Sequence, residues 1–443
     1  MINQKGNKFI VMKESPRLLI FSNNCFSTTN SNGRTLAKLL LGYPKNKLAQ
    51  FFIQRARPDF EICDNYYLVT DSDVLHAFFK KGTRGTRIKA DQMKTEGETA
   101  EIKIKTKKRT PLTMLLREMV WKSNRWQSED FHSWVEDFSP EVVLLQAGDN
   151  AFLLRLAMTT ASKYKIPLII YNTEGYYFKN KNYFKGSGIA SIFYPWFHAQ
   201  FKKEFVKTMN RASCVVYNCD LLKEDYDKHF KCPSHVIYNS SDIIAGNKHE
   251  IEEDKPIISY LGNLGVGRHE SLIEIAQALK EINPNYKLDI YGNIPSDEIR
   301  EAFNSCTAID YKGFLPYKDV VMVMNKSDIL IHTENFSKFY REDLKYAFST
   351  KIADCLKTGI CFFNYAPEEL ASTQYLIKNK AACVVTEKAK LEEQLRRLIS
   401  DIDFRNSFID NALHLAEKNH NSENNGKLMM ELITKVVYED ITN

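Results

Sequence analysis

What this sequence lacks narrows its class first. No stretch reaches the roughly 18 apolar residues that a membrane-spanning helix needs. The opening MINQKGNKFIVMKESPRLLIF has no uninterrupted apolar core of the kind a secretory leader carries, so a cytoplasmic chain is expected. The nine cysteines include no CxxC pair, and an odd number so spaced fits reduced, mostly buried thiols better than a disulfide framework or a zinc site. No metal is expected. Internal repeats and low-complexity tracts are missing as well. Aromatic residues are not interleaved with the cationic run, which argues against a nucleic-acid partner.

What is present is enough for large cores. The 443 residues are 44% hydrophobic, 26% charged and 12% aromatic, the composition of a globular protein. That length favours two domains of roughly 200 residues each, with a cleft between them. The formal net charge of +6 is unevenly spread, because Lys80 to Arg125 holds 14 Lys or Arg against 5 Asp or Glu. The basicity is a local device.

Short apolar runs alternate with helix-period segments, which predicts parallel sheets built from βαβ units. In the first half the expected strands are Leu18 to Phe21, Leu48 to Ile53, Tyr66 to Thr70, Val142 to Gln146, Pro167 to Asn172 and Cys214 to Tyr217. A second series follows the polar stretch Gly246 to Lys255: Ile257 to Leu261, Lys287 to Tyr291, Asp328 to His332, Cys361 to Asn364 and Ala381 to Val385. The fold class is therefore α/β, two doubly wound Rossmann-like domains over residues 1–240 and 241–403, facing a central cleft. Helices in 404–443 are expected to pack back on the first. In such sheets ligands bind beyond the C-terminal ends of the strands, which directs attention to the strand-to-helix loops.

The first loop of the second half, Ser259-Tyr-Leu-Gly-Asn-Leu-Gly-Val-Gly-Arg268, runs into a helix carrying Leu272, Ile275, Ala276 and Leu279. Gly262, Gly265 and Gly267 permit close backbone approach, and Arg268 adds a permanent cation beside helix N-terminal N–H groups, a combination that suits phosphate. A tight connection is the alternative. Further on, Ser349-Thr-Lys-Ile-Ala-Asp-Cys-Leu-Lys-Thr-Gly359 predicts a helix capped by Ser349 or Thr350. Lys351 then occupies the first turn, where the helix dipole disfavours a cation unless an anion shares that end. Asp354, one turn deeper on the same face, could accept hydrogen bonds from ribose hydroxyls, or pair with Lys351 on the surface.

These residues resemble a known family. The succession Tyr-Leu-Gly262 with Arg268, Tyr-Gly292, Lys-Gly313-Phe314, Ser-Asp328-Ile-Leu-Ile-His-Thr-Glu334 and Ser-Thr-Lys351-Ile-Ala-Asp354 is similar to the donor domain of GT-B retaining glycosyltransferases of family 4. Tyr238-Asn239-Ser-Ser-Asp242 resembles the segment opening that domain, and Asn30-Ser-Asn32-Gly33-Arg34 resembles the family's N-terminal glycine loop. The resemblance implies a nucleotide-sugar donor, most readily a UDP-sugar, and no cofactor. It implies Arg268 and Lys351 on the diphosphate, Asp354 on the ribose, and Gly33, Gly262, Gly267, Gly313, Phe314, Ser349 and Thr350 around the donor. Two departures stand out. Asn263 replaces the family's Arg or Lys after the glycine, and the first glutamate of its paired motif falls on Tyr346, with Glu334 a substitute placed by a longer loop.

In the first half, Gln146-Ala-Gly148-Asp149-Asn150 and Asn172-Thr-Glu174-Gly175 follow expected strands and fit acceptor recognition, Glu174 being the carboxylate to orient a glycan or lipid-linked acceptor. Asp71-Ser-Asp73 has the metal-binding DxD form but reads better as a helix start, with Asp71 or Ser72 as the cap. The basic segment 80–125, with Lys103-Ile-Lys-Thr-Lys-Lys-Arg109 leading into Pro111 to Trp121, suits an inner-membrane surface as well as a solvated loop. Two other functions share these features: a nucleotide-sugar-binding scaffold without catalysis, and a sugar-nucleotide epimerase.

Overall fold

The computed structural model describes residues 14–27, 31–79, 84–90, 109–184, 186–246 and 251–438. Asn30 and most of the basic run, including Lys103 to Lys108, lie outside the described residues. By backbone contacts the chain divides into two compact units: Met1–Tyr171 with Phe184–Val215 and Gly426–Asn443, and Asn172–Tyr183 with Val216–Asn425.

The larger sheet contains β1 (Leu18–Ser22), β2 (Leu48–Phe52), β3 (Asn65–Leu68), β4 (Thr86–Ile88), β5 (Val142–Ala147), β6 (Leu168–Asn172), β7 (Cys214–Tyr217) and β8 (Ser234–Val236). Its spatial order is β4-β3-β2-β1-β5-β6-β7-β8. β1 runs parallel to both β2 and β5, while the edge strand β4 is antiparallel to β3. Every residue of β1 and β2 is buried, as strands covered by helices on both faces require.

The second sheet contains β9 (Ile258–Leu261), β10 (Leu288–Tyr291), β11 (Ile309–Gly313), β12 (Ile329–Thr333), β13 (Cys361–Tyr365) and β14 (Cys383–Val385), in the order β11-β10-β9-β12-β13-β14. All five pairings are parallel. Numbered from its own first strand this order is 3-2-1-4-5-6, the doubly wound arrangement in which the direction of winding reverses between β9 and β12. Ile258, Tyr260, Ile290, Ile331 and Phe363 form a core with Leu272, Ile275 and Leu279 of the helix Arg268–Ile282. Each fully buried aliphatic side chain there contributes about 1.5 to 3 kcal/mol.

Three strands were not expected. β4 and β8 have three residues each at the sheet edges, and β11 is half-exposed, so none carries a buried apolar run. Two caps also move. The helix Asp71–Phe78 is capped by Thr70, whose hydroxyl accepts from Asp73 N–H while Asp73 Oδ2 accepts from Thr70 N–H at 2.8 Å. Asp71 instead accepts hydrogen bonds from Arg117 and Trp121. The first helix begins at Ser31 and takes in most of the expected glycine loop, which puts Gly33 in its first turn. A Cβ at Gly33 would stand 2.3 Å from the Cys25 carbonyl oxygen, so glycine is what lets this helix lie against the chain leaving β1.

Candidate functional site

At the reversal point of the second sheet, the loops after β9 and β12 converge. Val266 and Gly267 both adopt positive φ, 61° and 74°. For β-branched Val266 that conformation is strained, at a cost of roughly 1 to 3 kcal/mol, and surrounding structure must hold it. Asn335, almost fully buried, does so: its amide donates to the Gly267 carbonyl at 2.8 Å and to Glu270 at 2.9 Å. A Cβ on Gly267 would fall 2.5 Å from that amide. Asn263 is committed within the same loop, its side-chain oxygen accepting from Gly265 N–H at 2.7 Å and its carbonyl accepting from Tyr260 at 2.8 Å. Gly262 is equally constrained, since a Cβ there would lie 2.6 Å from the Tyr260 hydroxyl.

This turn delivers Arg268 to the first position of a 15-residue helix. Its guanidinium donates to Glu334 Oε1 at 2.8 Å, where the Glu334 side chain is buried and that of Arg268 is half-buried. Glu334 follows β12, and its backbone carbonyl accepts from Ser271 of the same helix at 3.0 Å. Burial pushes the Glu334 carboxyl above the usual carboxylate range, while Arg268 and then Lys351 pull it back. Glu334 Oε2 and His332 Nε2 are buried with no hydrogen-bond partner among the described residues. The His332 ring stands 3.7 Å from Glu334 Oε1. Burial, and then the charges of Arg268 and Lys351, push this imidazole down to about 3. It is therefore neutral at pH 7.

Lys351, in the first turn of the helix Thr350–Lys357, bears on Glu334 and His332 through its charge. Ser349 caps that helix, accepting from Lys351 N–H, and Thr350 is its first residue. One turn deeper, Asp354 is buried and accepts from Ser241 Oγ at 2.6 Å. Lys357 donates to the Ser241 carbonyl, and Asn239 donates to the Phe348 carbonyl. The segment Asn239 to Asp242 is thus fastened to the start and body of this helix.

The other expected residues are dispersed. Gly313, at φ 85°, closes the edge strand β11 and is followed by exposed Phe314. Tyr346 is fully committed: its hydroxyl donates to Asp225 at 2.7 Å, beside Lys345 at the same oxygen. Against the cost of burial, hydrogen bonds from Lys228, Lys345 and Tyr346 hold Asp225 well below the usual carboxylate range. Glu174 belongs to the second unit, in the segment Asn172–Tyr183, and is exposed, its carbonyl accepting from Tyr226. His332 and Asn335 were missed in the sequence. His332 looks like any strand residue, and Asn335 acts on a loop 68 positions earlier.

Two Rossmann-like sheets in one chain, the second with a glycine turn and an arginine at its reversal point, define the GT-B architecture. Residues 268–431 match the family described as "Glycosyl transferase-like". Among curated proteins none matches the sequence. Among solved structures the chain is similar to HepE of Anabaena, described in complex with UDP and glucose, at TM-score 0.58 and 12% identity over 95% of this chain and 99% of that one. It is similar to sucrose-phosphate synthase of Thermosynechococcus elongatus at TM-score 0.59 and 11% identity, covering 95% and 98%. A glycosyltransferase of Rickettsia africae aligns at TM-score 0.57 and 12% identity, covering 95% and 98%. At these identities the likeness is one of fold.

Proposed function

We propose that this protein is a glycosyltransferase that moves a sugar from a nucleotide sugar, most readily a UDP-sugar, to a glycan or lipid-linked acceptor, retaining the anomeric configuration and using no metal. The observation that carries this reading is the Arg268–Glu334 pair at the sheet's reversal point, with Glu334 Oε2 and neutral His332 Nε2 left unpartnered beside it. Buried polar atoms without partners are rare. Here they are one acceptor and one ring nitrogen next to two cations, a set that complements sugar hydroxyls joined to a diphosphate.

In this reading the diphosphate lies against the N-terminus of the helix Arg268–Ile282, with Arg268 and Lys351 neutralising it. Asp354 is the ribose contact and Glu174 the acceptor contact. The bond from the anomeric carbon to the diphosphate oxygen breaks while the acceptor oxygen bonds on the same face, and the acceptor proton passes to the departing diphosphate. Fixed positive charge at that oxygen, in place of water, supplies the stabilisation. HepE structures in complex with UDP-glucose support the choice of donor class.

The test is a thermal-shift screen of nucleotide sugars, since a ligand binding only the native state raises Tm, followed by product analysis with EDTA present. Donor-dependent stabilisation, release of nucleoside diphosphate and an axial or equatorial linkage matching the donor are expected. Asn263, turned into its own loop, favours one other reading, a binding protein without transfer. Tight donor binding with no nucleoside diphosphate released across an acceptor panel would select it. Absence of any nucleotide-sugar stabilisation would reject both.

A further inference from the structure

Two neighbouring strands of the second sheet bring together buried polar atoms that the fold itself does not use. Among the described residues, eight buried side-chain nitrogen or oxygen atoms have no hydrogen-bond partner, and three of them are Glu334 Oε2, His332 Nε2 and Asn364 Oδ1. His332 and Asn364 are register partners near the C-terminal ends of the parallel pair β12 and β13. Side chains alternate between the two faces of a strand, and register partners share a face. Ile329, Ile331, Cys361, Phe363 and Tyr365 belong to the core formed with Leu272 and Ile275, so His332 and Asn364 both project from the opposite face. The His332 ring stands 3.7 Å from Glu334 Oε1, and the charge of Lys351 acts on both residues. Asn364 thus carries the cluster at the donor site from β12 onto β13.

Nothing in the packing accounts for an asparagine at this position. Its side chain is fully buried, and the one bond its amide makes, from Nδ2 to Thr373 Oγ1, is 3.5 Å long, at the limit of a hydrogen bond. Turning the amide over would exchange an unmatched oxygen for an unmatched nitrogen, because the threonine hydroxyl can donate as well as accept. An apolar side chain of similar volume would fill the space without burying an unpaired polar group. The three orphaned atoms also have a common complement. Glu334 Oε2 accepts, Asn364 Oδ1 accepts, and neutral His332 Nε2 accepts or donates according to its tautomer. Alcohol hydroxyls donate and accept and so serve all three, whereas a carboxylate has no proton to give. Arg268 and Lys351 beside the same cluster suit a diphosphate joined to those alcohols.

We propose that Asn364 is a specificity residue for the donor sugar, its amide hydrogen-bonded to one ring hydroxyl while His332 and Glu334 take neighbouring ones. The inference rests on the donor-site reading given under the proposed function and names what that site selects: a sugar with a free hydroxyl at the position facing β13, in preference to one deoxygenated there.

Isothermal titration of the full chain with UDP, UDP-glucose, UDP-galactose and UDP-N-acetylglucosamine tests it. Wild type should bind at least one of the three sugar nucleotides about tenfold or more tighter than UDP. Asn364→Ala should lose about tenfold on that ligand, the worth of one hydrogen bond with its partner left unpaired, while its affinity for UDP is unchanged. Asn364→Ser, too short to reach the same hydroxyl but leaving less empty space, should behave likewise, and circular-dichroism melts show that each variant is folded. Forms of the ligand lacking one hydroxyl at a time identify the contact. One of them should bind wild type about tenfold more weakly than the parent sugar nucleotide, and bind Asn364→Ala as well as the parent does. Equal loss of UDP and sugar-nucleotide affinity would make Asn364 a structural residue and overturn the proposal. So would a lower Tm with the sugar-dependent difference retained, the mark of a side chain that only orders a buried water. A deoxy series that wild type does not distinguish overturns it without any variant. Wild type that binds UDP but gains nothing from the sugar removes the assignment of Asn364 alone, whereas binding of neither UDP nor any sugar nucleotide removes the donor-site reading and this inference with it.

Discussion

Arg268 and Lys351 bring positive charge to the same carboxylate, yet their removal should have different consequences. Lys351 is half-buried at a helix N-terminus, so Lys351→Ala should weaken nucleotide-sugar binding about 10- to 150-fold, the loss of one charge-assisted contact, with little change in Tm. Arg268→Ala removes the partner of buried Glu334 and should also destabilise the fold by about 3 to 5 kcal/mol. Adding Glu334→Gln should return part of that stability without restoring donor affinity. Urea denaturation and isothermal titration of the two single variants and the double variant separate the effects; unchanged nucleotide affinity in both Lys351→Ala and Arg268→Ala would remove the site assignment. At this scale Lys351 was legible because a cation in a first turn conflicts with the helix dipole unless an anion is near. Glu334 was legible only as a substitute, since the residue at the motif's own spacing, Tyr346, is spent on Asp225.

Glycine positions decide how closely the elements of the second sheet approach one another. The Gly292 N–H donates to the Gly313 carbonyl at 2.9 Å, and any Cβ on Gly292 would meet the Gly262 carbonyl oxygen at 2.1 Å, a backbone atom that cannot swing aside. Gly292→Ala is therefore expected to displace the turn that delivers Arg268. The variant should lose about 1 to 3 kcal/mol, as overpacked sites do, and bind nucleotide sugar more weakly. Gly313→Ala at the sheet edge meets no atom within 4 Å and pays only for its positive φ, so its donor affinity should stay closer to wild type. Thermal melts and titrations of the pair test this; equal loss of affinity in both would show that crowding at Gly262 is not the cause. The buried strands were legible as apolar runs, and Cys214–Tyr217 carries the expected bounds. β11 was not, because Ile309, Asp310 and Tyr311 are each half-exposed and present no continuous apolar face.

Across the whole molecule, alternation of apolar runs and helical periods made two sheets legible, whereas the place of Asn172–Tyr183 in the second unit was not, and of the closing helices expected on the first domain only Gly426–Asn443 groups with it. Asn172–Tyr183 joins the second unit through contacts such as Gly175 against the Tyr346 ring, and Gly426 lies against the Leu41 backbone in the first. Neither contact leaves a local sequence pattern. A global property that does follow from named residues is acid sensitivity. His420 is buried, with Nδ1 2.6 Å from the Asn239 carbonyl and Nε2 2.9 Å from the Tyr375 hydroxyl. Burial pushes it down to about 4, partly opposed by the bond to Asn239, and His332 falls to about 3. Unfolded histidine takes up a proton near pH 6.5, so between that value and the folded one the unfolded chain binds more protons. Stability then rises with pH through the window and is lost as pH falls from about 6.5 to about 4 for His420. Glu334, raised above its ordinary value, acts with the opposite sign, favouring the folded state at low pH, which makes His332 the less clean reporter. His420→Gln keeps a polar side chain and cannot titrate. It should abolish about 3 kcal/mol of the stability difference between pH 7 and pH 4. Urea denaturation of wild type and variant across that range measures it, and superimposable acid limbs would show that protonation of His420 does not drive the loss.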